Sequence, residues 1–397
     1  MKIKNKGRKI YKTKEKNYYG KSPAGKFFSA LLSVLLIGGI GFIGYSVAGP
    51  LINYTRKQGD EEPPESETVP EEEQTSGEIQ TEDADDAVLP VVQSENDVYR
   101  AVFLSEYDMT STESIKIAVG RIPQEQGIEY IEVPLKLKNG KLTYESSSPV
   151  LTDSDIVQPE ITLQEIAHTI KKEGYTPSAH ISVFADSTIP KIYPQYSYMI
   201  KETLSVWQDS NSNLWASPFS SDYTDYLTFL ADEISGAGFE KIICSDLSFP
   251  EFSDRDIEEL NDPRIENDGR YTALTDTANI LYEKITADNS EMLIEVSASD
   301  VISGKSEVLK PLFLNSDTIV LNINLDEISR GVNTGDTVYE FNGTVSENVL
   351  KMLDLAKDRL SDFNVTVRIS GGSGNTSDIL KAKDDMAENG YTSFILG

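Results

Sequence analysis

A single cysteine, Cys244, stands in 397 residues, so no disulfide can close within the chain and no cysteine cluster can hold a metal. It lies inside the apolar run "KIICS" and reads as a packed core thiol. Histidine is nearly as scarce. His168 falls in a segment with helical spacing and His180 early in a strand, so neither nucleophile–His chemistry nor a His-ligated metal is expected. Nothing else in the sequence calls for a cofactor. Positive charge is in short supply: 36 Lys and Arg face 65 Asp and Glu, a formal net charge of −29. Such a chain repels nucleic acid, anionic lipid and phosphate polymers, which leaves neutral glycans and cationic ligands.

The shortage of cations is uneven. From Gln58 to Tyr99 there is no Lys or Arg, and "DEEPPESETVPEEEQTSGEIQTEDADD" crowds acids with Pro, Ser, Thr and Gln. Too little apolar surface is present there to offset chain entropy, so residues 53–97 are expected to form an extended acidic linker. Residues 1–26 carry ten Lys or Arg against one acid, Glu15, and the charge-free run "FFSALLSVLLIGGIGFIGYSVAGPLI" follows from Phe27 to Ile52. That run exceeds the ~20 residues a spanning helix needs. The expectation is a basic cytoplasmic tail (1–26), one transmembrane helix (27–52) and a C-terminal domain outside the cell membrane. A cleaved signal peptide is the competing reading, because "SVA" before Gly49 looks like a processing site.

Residues 98–397 hold eight β-rich runs: 99–104, 129–133, 178–184, 241–245, 292–297, 317–323, 364–369 and 392–396. Between them, helical spacing predicts helices over 111–124, 162–173, 222–237, 271–287, 304–314, 344–360 and 376–389. This alternation argues for βαβ units and a parallel sheet, and eight units is the count of a (β/α)8 TIM barrel. A doubly wound open sheet is the alternative. Gly397 closes the eighth strand, so the barrel is expected to lack its last outer helix, with residues 86–97 or the linker over that seam. After the second strand, "LKLKNGKLTYE" carries an Asn-Gly pair between alternating residues, a hairpin signal placed on top of the barrel.

In such a barrel the working side chains sit at the C-terminal strand ends. Those ends offer Glu106, Glu132, Asp186, Ser245 with Asp246, Glu295 or Asp300, Asn322 to Asp326, and Arg368. Paired carboxylates are what glycoside hydrolysis requires, one to protonate the leaving oxygen and one as base or nucleophile. They also bind sugar hydroxyls without reaction. The only tryptophans, Trp207 and Trp215, share the long loop after the third strand, where they either stack on sugar rings or fold the loop onto the rim. "DSNSNLW" from Asp209 imitates a calcium loop, but Leu214 and Ser220 replace its Gly and Glu. "GGSGN" at 371–375 is a weak phosphate-loop signal that the negative charge opposes.

The stretch Ser182 to Pro250 resembles a bacterial family of glycoside hydrolases, long catalogued as a domain of unknown function, with a (β/α)8 barrel. The matching residues are Phe184-Ala185-Asp186, Trp207, Trp215 to Pro218, Tyr226, Gly238-Phe239 with Ile242, and Phe249-Pro250. "RAVFL", "YIEVPLKLKNGKLTYES", "EVSASDV", Arg368 and "FIL" are similar to further strands, with Glu132 where the pattern has Asp. The resemblance implies a polysaccharide or oligosaccharide ligand, with substrate contacts expected from Trp207, Trp215 and Arg368; if the site is active, Glu132, Asp186 and Asp246 are the expected catalytic carboxylates, their acid and base roles unassigned. The chain departs where the family's strand-four Asp falls on Ser245, its Arg on Ser248, and its strand-six Pro, Met and Tyr-Pro on "VLNINLDEIS". Since strand side chains alternate faces, Asp246 can replace its neighbour only if the strand ends or shifts there. The reading is therefore divided between a hydrolase with a rebuilt site and a non-catalytic glycan-binding or envelope-interaction module.

Overall fold

Eight short parallel strands follow the eight β-rich runs: β1 (Arg100–Phe103), β2 (Tyr130–Lys136), β3 (Thr176–Ser182), β4 (Lys241–Ser245), β5 (Glu291–Ser297), β6 (Thr318–Asn324), β7 (Asn364–Ser370) and β8 (Phe394–Leu396). In the computed structural model the described residues are 98–397, apart from 124, 125, 153, 155, 311, 312 and 372–375. The expected basic tail, membrane helix over 27–52, acidic linker and seam cover at 86–97 lie outside them, as does nearly all of "GGSGN". Among the described residues no helix is long and apolar enough to cross a membrane.

The strands close in the order β1-β8-β7-β6-β5-β4-β3-β2, and the pairing of Arg100, Ala101 and Val102 with Phe394, Ile395 and Leu396 seals the barrel. That seam excludes the open sheet. The strands from β2 round to β8 are largely buried on both faces, as a parallel sheet wrapped by helices must be, whereas in β1 only Ala101 is fully buried. β4 shows the division: Ile242 and Cys244 join the outer helix–sheet core, whereas Ile243 joins an inner cluster with Tyr99, Ala101, Leu293, Val320 and Ile395. Burial pushes the Cys244 thiol up to about 12, so it stays a protonated packing group.

The long outer helices are α1 (Thr112–Val119), α2 (Leu163–Lys172), α3 (Ser221–Gly236), α4 (Arg270–Ala287), α6 (Val345–Ala356) and α7 (Thr376–Glu388), with the short α5 (Ala298–Ser303) after β5. Local chemistry starts them. Thr162 with Glu165 and Thr344 with Glu347 form capping boxes at α2 and α6. Leu163, Ile166, Ala167 and Ile170 then give α2 one apolar stripe that the barrel buries. Among the described residues of 304–314 the expected helix does not form. Ser297 instead caps α5 seven residues earlier, and Gly304, at φ +75°, ends it in the left-handed region.

The hairpin after β2 is present. Leu137 N donates to Lys141 O (2.9 Å), Thr143 N to Leu135 O (3.1 Å), and Gly140 takes φ +81° at the turn.

Candidate functional site

β4 ends at Ser245, which faces inward by the alternation that puts Ile243 inside. The next residue, Asp246, takes φ +55°, a left-handed backbone that costs a non-glycine residue roughly 1–2 kcal/mol and that Asp tolerates better than most. This turn changes its face. The carboxylate swings over the barrel mouth, where Oδ2 accepts from Ser182 Oγ (2.7 Å) and Ser245 Oγ (3.1 Å). Oδ1 lies 3.2 Å from Lys138 Nζ. Hydrogen bonds to a charged acceptor are each worth roughly 1.5–3 kcal/mol, enough to outweigh the backbone cost.

Asp246 lines a cavity of about 850 Å³ at the C-terminal strand ends. Its carboxylates are Asp246, Glu251, Glu295, Asp300, Glu307 and Glu327, its cations Lys138, Arg270, Lys305 and Lys310, and its aromatic walls Trp215, Phe249 and Phe252. The carboxylates differ in character. Burial pushes Asp300 up and Glu251 adds to the rise, against Lys305. Burial likewise raises Glu307, although the Phe249 N–H and Arg270 hold its oxygens. Burial also works to raise Glu295, yet the Arg368 guanidinium, His180 and Asn322 beside it keep its carboxyl well below the usual range. Asp246 is the main reason that Lys138 sits above the usual lysine value.

Beneath the cavity the barrel interior is ionic. Arg368 bridges Glu132 and Glu295, with its Nε 2.7 Å from Glu295 Oε2. Asn322 Nδ2 donates to Glu295 Oε1 (2.8 Å), Ser370 Oγ to Asn322 Oδ1 (2.6 Å), and His180 Nε2 lies 3.6 Å from Glu295. Tyr99 reaches Glu132 from below (3.4 Å). Glu132 has no exposed surface and Arg368 keeps only 4 %, so both form the floor under the cavity.

Asp186 is placed differently again. Its oxygens accept from the backbone N–H groups of Thr188 (2.8 Å) and Ile189 (2.9 Å) and from Tyr223 Oη (2.9 Å), and Lys136 Nζ lies 3.1 Å away. Asp186 and Lys136 are both wholly buried, under the hairpin at Gly140. Of the six residues singled out from the sequence, the structure therefore puts Asp246 and Trp215 on the cavity, Glu132 and Arg368 in its floor, and Asp186 and Trp207 in packed surroundings. Trp207 is 2 % exposed, donates from Nε1 to Asp256 (2.8 Å) and packs on Phe252. Trp207→Ala is expected to cost about 3–5 kcal/mol in urea unfolding, the scale of an emptied aromatic site. Asp209, at the start of the imitation calcium loop, accepts instead from Asn211 N, Asn213 N and Trp215 Nε1 (3.1 Å).

Sequence reasoning passed over Lys136, Lys138, Arg270 and Glu307. The hairpin signal did place residues 137–141 on top of the barrel, which was the available pointer to Lys138.

A closed parallel α/β barrel with a carboxylate-lined cavity at the C-terminal strand ends is the architecture on which many glycan-acting domains are built. A family model described as "Putative glycosyl hydrolase domain" matches residues 101–305, and the chain belongs to that family. The sequence matches no curated protein. Among solved structures it is similar to the PgaB (BpsB) glycoside hydrolase domain from Bordetella bronchiseptica, at 14 % identity and TM-score 0.51 over 76 % of this chain and 94 % of that one. It is also similar to the glycoside hydrolase domain of PelA from Pseudomonas aeruginosa (11 %, TM-score 0.41, 76 % and 94 %). A hypothetical protein from Ruminiclostridium thermocellum matches at 17 % and TM-score 0.39 over 49 % and 96 %. At these identities the likeness concerns the fold.

Proposed function

We propose that this domain is a glycoside hydrolase, held at the outer face of a cell membrane by residues 27–52, with Asp246 as the carboxylate that meets the anomeric centre or its attacking water. One observation carries the reading: a left-handed backbone turns the Asp246 carboxylate into the cavity beside Ser245, where the family pattern has its own acid. Asp300, on the same cavity and raised by burial, suits the proton donor to the leaving oxygen. Glu295 is less suited to either task, because Arg368 and Asn322 occupy its oxygens. The charge-free span at 27–52 supports the anchor, and the acidic segment after it suits a stalk. The acidic balance of the chain favours neutral or cationic glycans.

Incubation of the purified protein with a panel of cell-wall and plant polysaccharides, followed by mass spectrometry of released oligosaccharides, tests this. Defined products that disappear in both Asp246→Asn and Asp300→Asn are expected. The complete burial of Glu132 and Asp186 favours a second reading, in which the cavity binds glycan without cleaving it. It requires no product from any polysaccharide, together with binding that weakens roughly two- to tenfold in Trp215→Ala, the scale of one aromatic contact.

A further inference from the structure

Asp186 lies outside the cavity, yet its surroundings lead to Asp246. Its carboxylate collects Lys136 from the end of β2, Tyr223 from α3 and two N–H groups of its own loop. Gly140 rests on this carboxylate so closely that an added Cβ would fall 1.9 Å from Asp186 Oδ1. A second tie comes from the same loop, whose Ser187 N and Thr188 Oγ1 donate to the Asn139 carbonyl at 3.1 and 2.8 Å. Next to these contacts in the chain stands Lys138, whose ammonium lies 3.2 Å from Asp246 Oδ1.

We propose that Asp186 is a positioning residue: through Gly140 and residues 187–188 it seats the β2 hairpin so that Lys138 meets Asp246. The proposal rests on the reading of Asp246 as the working carboxylate, and it explains why an acid at a strand end is buried on a lysine. A side chain with most of its length in water has many rotamers, so an ion pair forms there only if the backbone beneath is held. Asp246 is faced by Lys138 from the hairpin, the Ser182 hydroxyl from β3 and the Ser245 hydroxyl from β4, while Glu295 and Glu327 act on Lys138 from across the cavity. Lys138 is the cation that offsets this negative surround beside Asp246.

The test is lysine acylation of the full chain read by mass spectrometry, with exposed Lys141 on the same hairpin as internal reference. Lys138 is expected to react about threefold more slowly than Lys141, the scale of a partly exposed ion pair. That protection should disappear in Asp246→Asn, which removes the partner, and in Gly140→Ala, which must lift the hairpin off Asp186. Thr188→Val should lose part of it. Asp186→Asn should behave as Gly140→Ala does; if it fails to fold, because Lys136 is left buried alone, the Gly140 and Thr188 variants decide. Protection retained in both of those while lost in Asp246→Asn would overturn the proposal, as would a parent protein in which Lys138 reacts as fast as Lys141. No glycan enters the measurement. A silent hydrolysis assay with the expected labelling pattern would remove the hydrolase reading and leave the latch standing.

Discussion

Asp246→Asn is expected to lower kcat/KM on any glycan the parent cleaves by at least about 100-fold, within the range for losing a general acid–base group, while leaving the unfolding midpoint almost unchanged. Asn keeps an oxygen to accept from Ser182 and tolerates the left-handed backbone at φ +55°. Two companions separate chemistry from conformation. Asp246→Gly should be equally inactive and modestly less stable than the parent, since glycine adopts that backbone freely and so offsets only part of the lost hydrogen bonds from Ser182 and Ser245. Asp246→Ala should be inactive and less stable than Asp246→Gly by roughly 1–2 kcal/mol, because its Cβ meets the left-handed penalty that glycine avoids. Activity within tenfold of the parent in Asp246→Asn would end the assignment of Asp246 to the reaction.

Arg368→Met is expected to cost about 3–5 kcal/mol of stability at neutral pH, because it strands Glu132 and Glu295 in the barrel interior without their shared cation. Its pH dependence has a definite sign. In the parent, the Glu295 carboxyl is held well below its ordinary 4.5, so the stability it contributes is complete above that pH and is lost as pH falls below it. In the variant, burial acts without the guanidinium and favours the protonated form. The gap between the two proteins should therefore narrow as pH falls from 7 toward 4, and adding Glu295→Gln to Arg368→Met should recover part of the loss. Urea unfolding of the three proteins across that pH range decides it; a gap that widens on acidification would show that Glu295 is not paired as described.

Much of the fold was legible because the strands are short, mostly buried and separated by capped, striped helices. The "KIICS" run coincides with β4, and Thr162 with Glu165 announces α2 at its first turn. The helix expected over 304–314 was misplaced because its apolar spacing competes with a stronger local signal, Ser297 as cap and Gly304 as stop. The site was only half legible. Position at a strand end brings a side chain near the mouth, but it does not say whether a neighbouring loop then covers it, as the hairpin covers Asp186. Lys136 gave no warning, since lysine is rarely buried and its partner is fifty residues away in the chain. Trp207 and Trp215 look alike in sequence; only the packing of Phe252 and Asp256 against the first separates them.

The left-handed turn at Asp246 also bears on how relatives of this barrel should be compared. The resemblance places the family's strand-four acid at position 245, and in that frame Ser245 reads as a loss. In the structure the following residue, Asp246, supplies a carboxylate at the mouth. A serine at that one position therefore does not by itself remove the acid from the barrel mouth when the next residue is acidic and its backbone turns to positive φ.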